Sequence, residues 1–188
     1  MKTFKTLLLA VAATITLSAN AQTKKIDASK STINWVGKKV TGQHSGTIAL
    51  KSGALIFKKG KLAGGNFVVN MTTLNTTDLK AGEGKEDLDG HLKSADFFGT
   101  EKFPTSTLVF KKLAAKTDGI YTITADLTIK GITNPITFDL ATTANTAATS
   151  LKVNRTKYDI KYGSGSFFEN LGDKTISDDF ELNIALKF

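Results

Sequence analysis

The sequence predicts an all-β protein built from antiparallel strands. Apolar and polar residues alternate in segment after segment, short turn signals separate the segments, and no run of helical periodicity stands between one strand and the next. The lack of crossover helices argues against a parallel βαβ sheet, and the alternation gives each strand one apolar and one wet face. A sheet of roughly eight to ten such strands must manage its edges. Closure into a barrel does this, and a two-sheet sandwich is the alternative.

In chain order, TINWVGKK (32–39) puts Ile33 and Trp35 on one face. GTIALKSG (46–53) and ALIFKKGK (54–61) follow with Ile48 and Leu50, then Leu55 and Phe57. GGNFVVNMTTL (64–74) sets Phe67, Val69 and Met71 against Asn66, Val68 and Asn70. STLVFKKL (106–113) carries Leu108 and Phe110, and GIYTITADLTIKG (119–131) aligns Tyr121, Ile123, Ala125, Leu127 and Ile129. NPITFDLAT (134–142) gives Ile136, Phe138 and Leu140; SLKVNRTKYDI (150–160) gives Leu151 and Val153, with Arg155 on the same parity. DDFELNIALKF (178–188) closes the chain with Phe180, Leu182, Ile184, Leu186 and Phe188 on one face.

One interval breaks the pattern. In AGEGKEDLDGHLKS (81–94), Leu88 and Leu92, with Ala95 just after, fall on a helical stripe, with acidic residues early and Lys93 late, as the helix dipole favours. A short helix is expected there, weakened by Gly90 by ~1 kcal/mol. HLKSADFFGTEKFPT (91–105) then concentrates Phe97, Phe98 and Phe103 where no ordinary strand can run. These three are expected to plug one end of a barrel, each aromatic burying ~150–250 Å². Pro104 suits the first residue of the next strand.

The N-terminus reads as a signal peptide over residues 1–21. Lys2 and Lys5 precede an apolar run, LLLAVAATITLSA, and Ala19-Asn20-Ala21 fits a small-residue cleavage site. A single domain, 22–188, is expected in a periplasmic or secreted location. The chain has no Cys, which removes thiolate chemistry, a Cys-linked lipid anchor and most zinc sites. Its formal charge of +8 is scattered over lysines rather than clustered, so no nucleic-acid partner is expected.

Enzyme signatures fail on inspection. GEGKED (82–87) lacks the first Gly of a phosphate loop, since position 79 is Leu, and Glu86 follows Lys85 where Ser or Thr is needed. GSGSFF (163–168) has Phe168 where a dinucleotide loop needs its third Gly. Asp87 and Asp89 lack calcium-loop spacing. Neither a cofactor nor a metal is expected, and no catalytic residue is assigned.

Several ordered blocks, namely HLKSADFFGTEKFPT with the strand STLVF, ADLTIKGITNPITFDL, NRTKYDIKYGSGSFF and ISDDFELNIAL, resemble the YceI-like family of exported polyisoprenoid-binding proteins. The resemblance runs from about Lys24 to Phe188; many relatives carry an acidic residue where this chain has Gly99. It implies a lipocalin-like, eight-stranded antiparallel barrel with an elongated apolar cavity. It also implies a non-catalytic role: binding, storing or carrying a long isoprenoid, polyprenyl or quinone-type, or a similar amphiphile.

The inward faces offer Trp35, Phe57, Phe67, Val69, Met71, Leu108, Phe110, Ile123, Leu127, Phe138, Phe180 and Leu182 as a cavity lining, and sequence leaves open which of them line and which fill. His91, beside the plug, and Arg155, on an inward parity, are the candidates for a ligand head group, Arg by bidentate bonding to phosphate or carboxylate. A structural ion pair for Arg155 and a bracing role for His91 are their alternatives. Phe167 and Phe168 either gate the cavity mouth or pin their loop. Transient contact with a membrane surface is also expected. Two other functions stay open: an enzyme using His91, Asp96 and Arg155 on a bound head group, and a filled barrel acting through its surface.

Overall fold

A computed structural model describes residues 21–188; the expected signal peptide lies outside the described residues but for Ala21. The strands are β1 (Ala21–Lys25), β2 (Thr32–Lys39), β3 (Gly42–Lys58), β4 (Lys61–Thr76), β5 (Thr105–Thr117), β6 (Ile120–Ile129), β7 (Ile132–Thr142), β8 (Thr146–Asn154) and β9 (Ile176–Lys187). One helix, α1 (Lys85–Lys93), sits between β4 and β5, inside the interval the sequence marked. Every neighbouring pair is antiparallel, and β2 through β9 close on themselves because β2 pairs with both β3 and β9. The eight-stranded barrel is thus the solution taken, not the sandwich. β1 stands outside the ring, antiparallel to Ala54–Lys58 of β3.

The hairpins explain the strictness of the closure. Lys59-Gly60 and Lys130-Gly131 take positive φ at both positions, the two-residue turn whose twist matches that of its flanking strands. Register shifts interrupt the β3–β4 and β5–β6 ladders, and such bulges bend long strands enough to curl.

The barrel has two ends. The upper one carries the β2–β3 turn, α1, the phenylalanine-rich segment and the loop before β9; the lower one carries the β3–β4, β5–β6 and β7–β8 turns. α1 is fastened to β4 by Asp89, which accepts the Thr76 N–H at 2.7 Å and pairs with Lys85. Burial pushes the Asp89 pKa upward, but the bonds from Lys85 and Thr76 outweigh it and hold the carboxyl below its usual range. Gly99 adopts φ 57°, a left-handed turn that a side chain rarely accepts, and its N–H bonds the Ser94 carbonyl at 2.7 Å.

Candidate functional site

Every strand of the ring contributes side chains to a cavity of ≈ 170 Å³ in the barrel. By the same measure one water needs only ~10–15 Å³. The wall is apolar: Ile, Leu, Val, Met, Phe and Trp side chains, interrupted only by Gly37, Ser106 and Thr149, with no charged residue. A continuous void of this kind is what the filled-barrel alternative lacked.

Ten of the expected lining residues do face it: Trp35, Phe67, Val69, Met71, Leu108, Phe110, Leu127, Phe138, Phe180 and Leu182. Two do not. Ile123 is fully buried against its neighbours. Phe57 lies below the cavity floor, its ring 6.1 Å from that of the C-terminal Phe188. Lys24 of β1 spans these two rings and donates to the Ala144 carbonyl at 2.5 Å, at the lower end. Both corrections share a cause: alternation fixes which face a residue is on, whereas its height along the barrel decides whether it meets the void or the packed floor.

The plug is divided among three jobs. Phe98 reaches the cavity and meets Phe180 edge to face at 6.0 Å, with Leu92 of α1 beside it on the wall. Phe97 is buried outside the cavity among Leu127, Ile129, Val153, Tyr158 and Ile160. Phe103 also stays off the wall, packed over Gly99 and Gly131, where an added Cβ would stand 3.4 Å and 3.1 Å from its ring. Only one of the three plug residues therefore contacts the hollow.

Neither head-group candidate lines the cavity. Arg155, 2 % exposed, begins a 3-10 turn after β8, and this register break turns it away from the inward row. Its Nε donates to Ser177 O at 2.9 Å, Nη1 to Ile160 O and Tyr162 O at 2.8 Å each, and Nη2 to Ile176 O at 3.0 Å. Asp178 stands 3.7 Å away. Burial pulls the guanidinium pKa below its usual value, and Asp178 opposes the shift. This arginine ties the upper loop to β9, the structural role that competed with ligand contact. His91 packs edge-on against Phe97 at 5.1 Å and Tyr162 at 4.4 Å, bracing α1 against the same loop.

Asp96 is exposed and also off the wall, so His91, Asp96 and Arg155 do not assemble at the cavity. Phe167 and Phe168 are 51 % and 50 % exposed and off the cavity wall, which corrects the gating reading; both backbone N–H groups donate to the Ser164 carbonyl within their own loop, and Lys161 lies over the Phe167 ring. Among the described residues no cluster of three metal-ligating side chains occurs.

Sequence reasoning missed Ser106 and Thr149 on the wall. Their parity with Leu108 and Leu151 was the available signal. The Oγ of Ser106 and the Nε1 of Trp35 are buried without a hydrogen-bond partner, which is rare enough in a folded protein to need a cause.

Residues 25–188 match the YceI-like domain. A UPF0312 protein of Shewanella denitrificans is 38 % identical over 85 residues, 45 % of this chain and 42 % of that protein. Protein YceI of Escherichia coli is 41 % identical over 68 residues, 36 % and 34 % of the two chains. The aligned segments span less than half the length of these relatives. Burkholderia cenocepacia BcnA superimposes with a TM-score of 0.67 at 20 % identity, covering 86 % of this chain and 98 % of that one. A polyisoprenoid binding domain from Saccharophagus degradans gives 0.57 at 16 % identity, covering 86 % and 95 %. With the fold shared across these structures and the domain match running from the end of β1 to the last residue, the chain belongs to the YceI-like family.

Proposed function

We propose that this protein binds one long-chain isoprenoid, polyprenyl or quinone-type, or a similar lipid, and stores or carries it without chemical change. The observation that carries this reading is the cavity wall, apolar on every strand and free of charge. Such a wall accepts hydrocarbon and rejects an ion, whose desolvation nothing there would offset. Each five-carbon isoprene unit transferred from water contributes ~4 kcal/mol before association costs are subtracted. The polyisoprenoid binding domain of Saccharophagus degradans, similar in fold, supports the ligand class.

The unpartnered donors on Ser106 and Trp35 favour an uncharged ligand with oxygen, such as a quinone, over a bare hydrocarbon. With His91 and Arg155 engaged elsewhere, any charged head group stays outside the enclosed part of the site. The leader-like N-terminus supports an extracytoplasmic location, with cleavage after Ala21 leaving Gln22–Lys25 to pair with β3. Native mass spectrometry of the protein from its own host tests the reading. A co-purifying uncharged hydrophobic molecule is expected; a clean apo mass together with no uptake of geranylgeraniol or menaquinone-4 from vesicles overturns it.

A further inference from the structure

The barrel's seams are not equally closed. β6 and β7 pair without interruption from Ile120↔Ala141 to Ile129↔Ile132, and β8 pairs with β9 from Thr146↔Lys187 to Asn154↔Asp179. β7 and β8 pair only at Ala141↔Ala148 and Thr142↔Ala147, next to their lower turn. Above that point side chains alone span the gap. Thr149 Oγ1 donates to Asp139 O at 2.7 Å, and Asn134 Nδ2 donates to Lys157 O at 2.9 Å, one at each end of the unzipped stretch. Pro135 lies within it, a residue that sheets confine to edges because it cannot donate to a ladder.

The other short ladder, β4–β5, is filled instead. Beyond its last rung, Asn66↔Val109, the Phe110 ring presses so close to Gly65 that a Cβ there would lie 2.7 Å away, and Phe110 meets Phe67 at a tilt of 50°, their ring centroids 5.6 Å apart. The β7–β8 seam has no such filler. Its lips, Ile136 and Leu151, line the cavity and are only half-buried.

Both ends of the barrel, in contrast, carry packed side chains. Above, Phe98 meets Phe180, and Tyr158 and Ile160 are buried within the loop that Arg155 holds. Below, Leu140 and Leu186 are buried over the Phe57–Phe188 pair.

We propose that the β7–β8 seam is a lateral portal, and that the ligand is a slender, flexible, uncharged chain that slides through it sideways. The proposal rests on the lipid-binding reading above. Parting this seam above its two lower rungs breaks two side-chain bonds, whereas parting β6–β7 or β8–β9 over the same height breaks a ladder. Apolar lips suit a hydrocarbon chain in transit, and a compact polycyclic ligand would have to force the strands much farther apart.

The chain has no Cys and a single Trp, Trp35, which stands on the cavity wall and reports occupancy by its fluorescence. A Thr137→Cys/Lys152→Cys pair faces across the open seam when the last paired rungs are extended upward. A Thr124→Cys/Thr137→Cys pair bridges the zipped β6–β7 seam as the control. Each is closed by oxidation, or by a short bis-maleimide where the gap is too wide for a disulfide, with folding checked by circular dichroism. Uptake of menaquinone-4 from phosphatidylcholine vesicles is followed by quenching of Trp35.

Closing the β7–β8 pair is expected to slow uptake and release at least tenfold, reversibly for the disulfide, while the control exchanges at the wild-type rate. Wild-type exchange through a bridged β7–β8 seam overturns the portal, as does equal slowing by both bridges. An unbridged protein that never quenches overturns the lipid-binding reading, and the portal with it.

Discussion

Nη1 of Arg155 donates to the backbone oxygen of Ile160 at 2.8 Å, so the one arginine in the chain holds a loop in place rather than a ligand. Arg155→Met leaves four carbonyls without their donor and Asp178 without its counter-charge. A loss of ~3–5 kcal/mol in chemical unfolding is expected. Lys at this position cannot reproduce the fork and should recover little of it. Ligand affinity of the fraction that folds should stay near wild type; a selective loss of affinity with full stability would assign Arg155 to the ligand after all.

The hollow itself can be filled. Leu182→Trp projects a larger ring from β9 into the cavity, where it displaces ligand rather than protein. Binding of menaquinone-4 should fall by at least ~tenfold, while stability changes by no more than ~1 kcal/mol because the wall already leaves space. Ile123→Ala is the counterpart outside the hollow: fully buried there, it should cost ~2–5 kcal/mol of stability. Equal destabilisation by the two variants would argue that the barrel is solid.

Gly46 lies where β3 passes beneath Trp35. A Cβ at this position would stand 2.0 Å from the Asn75 carbonyl oxygen and 2.6 Å from Cζ2 of Trp35. Gly46→Ala should therefore destabilise by ~1–3 kcal/mol or more and shift the emission of Trp35. Gly90→Ala, in α1 with nothing near its Cβ, should stabilise by ~0.5–1 kcal/mol. Thermal unfolding of the two variants checks both signs.

The hydroxyl of Tyr158 is buried without a partner, and burial pushes its pKa up to about 12. Because the folded value lies above the ordinary 10.0, the neutral phenol's contribution to stability is fully present below pH 10. It is lost as the pH rises through about 12. Spectrophotometric titration should show one tyrosine ionising late, and Tyr158→Phe should remove that step. The same variant should be neutral or slightly stabilising at pH 7, since no hydrogen bond is lost.

Much of the fold was legible in the residues. Period-two alternation identified the strands and their inward faces, and the phenylalanine-rich segment marked where one end is capped. Ten of the twelve residues expected on the cavity wall are there because side-chain parity is a local property of extended backbone. The opposite error, at Arg155, came from extending that parity one residue past Asn154, where the strand gives way to a 3-10 turn.

The order of residues is enough to specify the antiparallel, alternating architecture, the apolar interior and the absence of thiol chemistry. The packing of distant strands set the other features. It closed the ring by joining β2 to β9, set Phe57 and Ile123 below or outside the hollow, sent His91 and Arg155 to brace the upper loop, and left one seam unzipped. The physical reason is distance along the chain. A residue's face follows from its immediate neighbours, but whether it meets a void, a floor or an open seam depends on what strands far away in sequence bring to the same height.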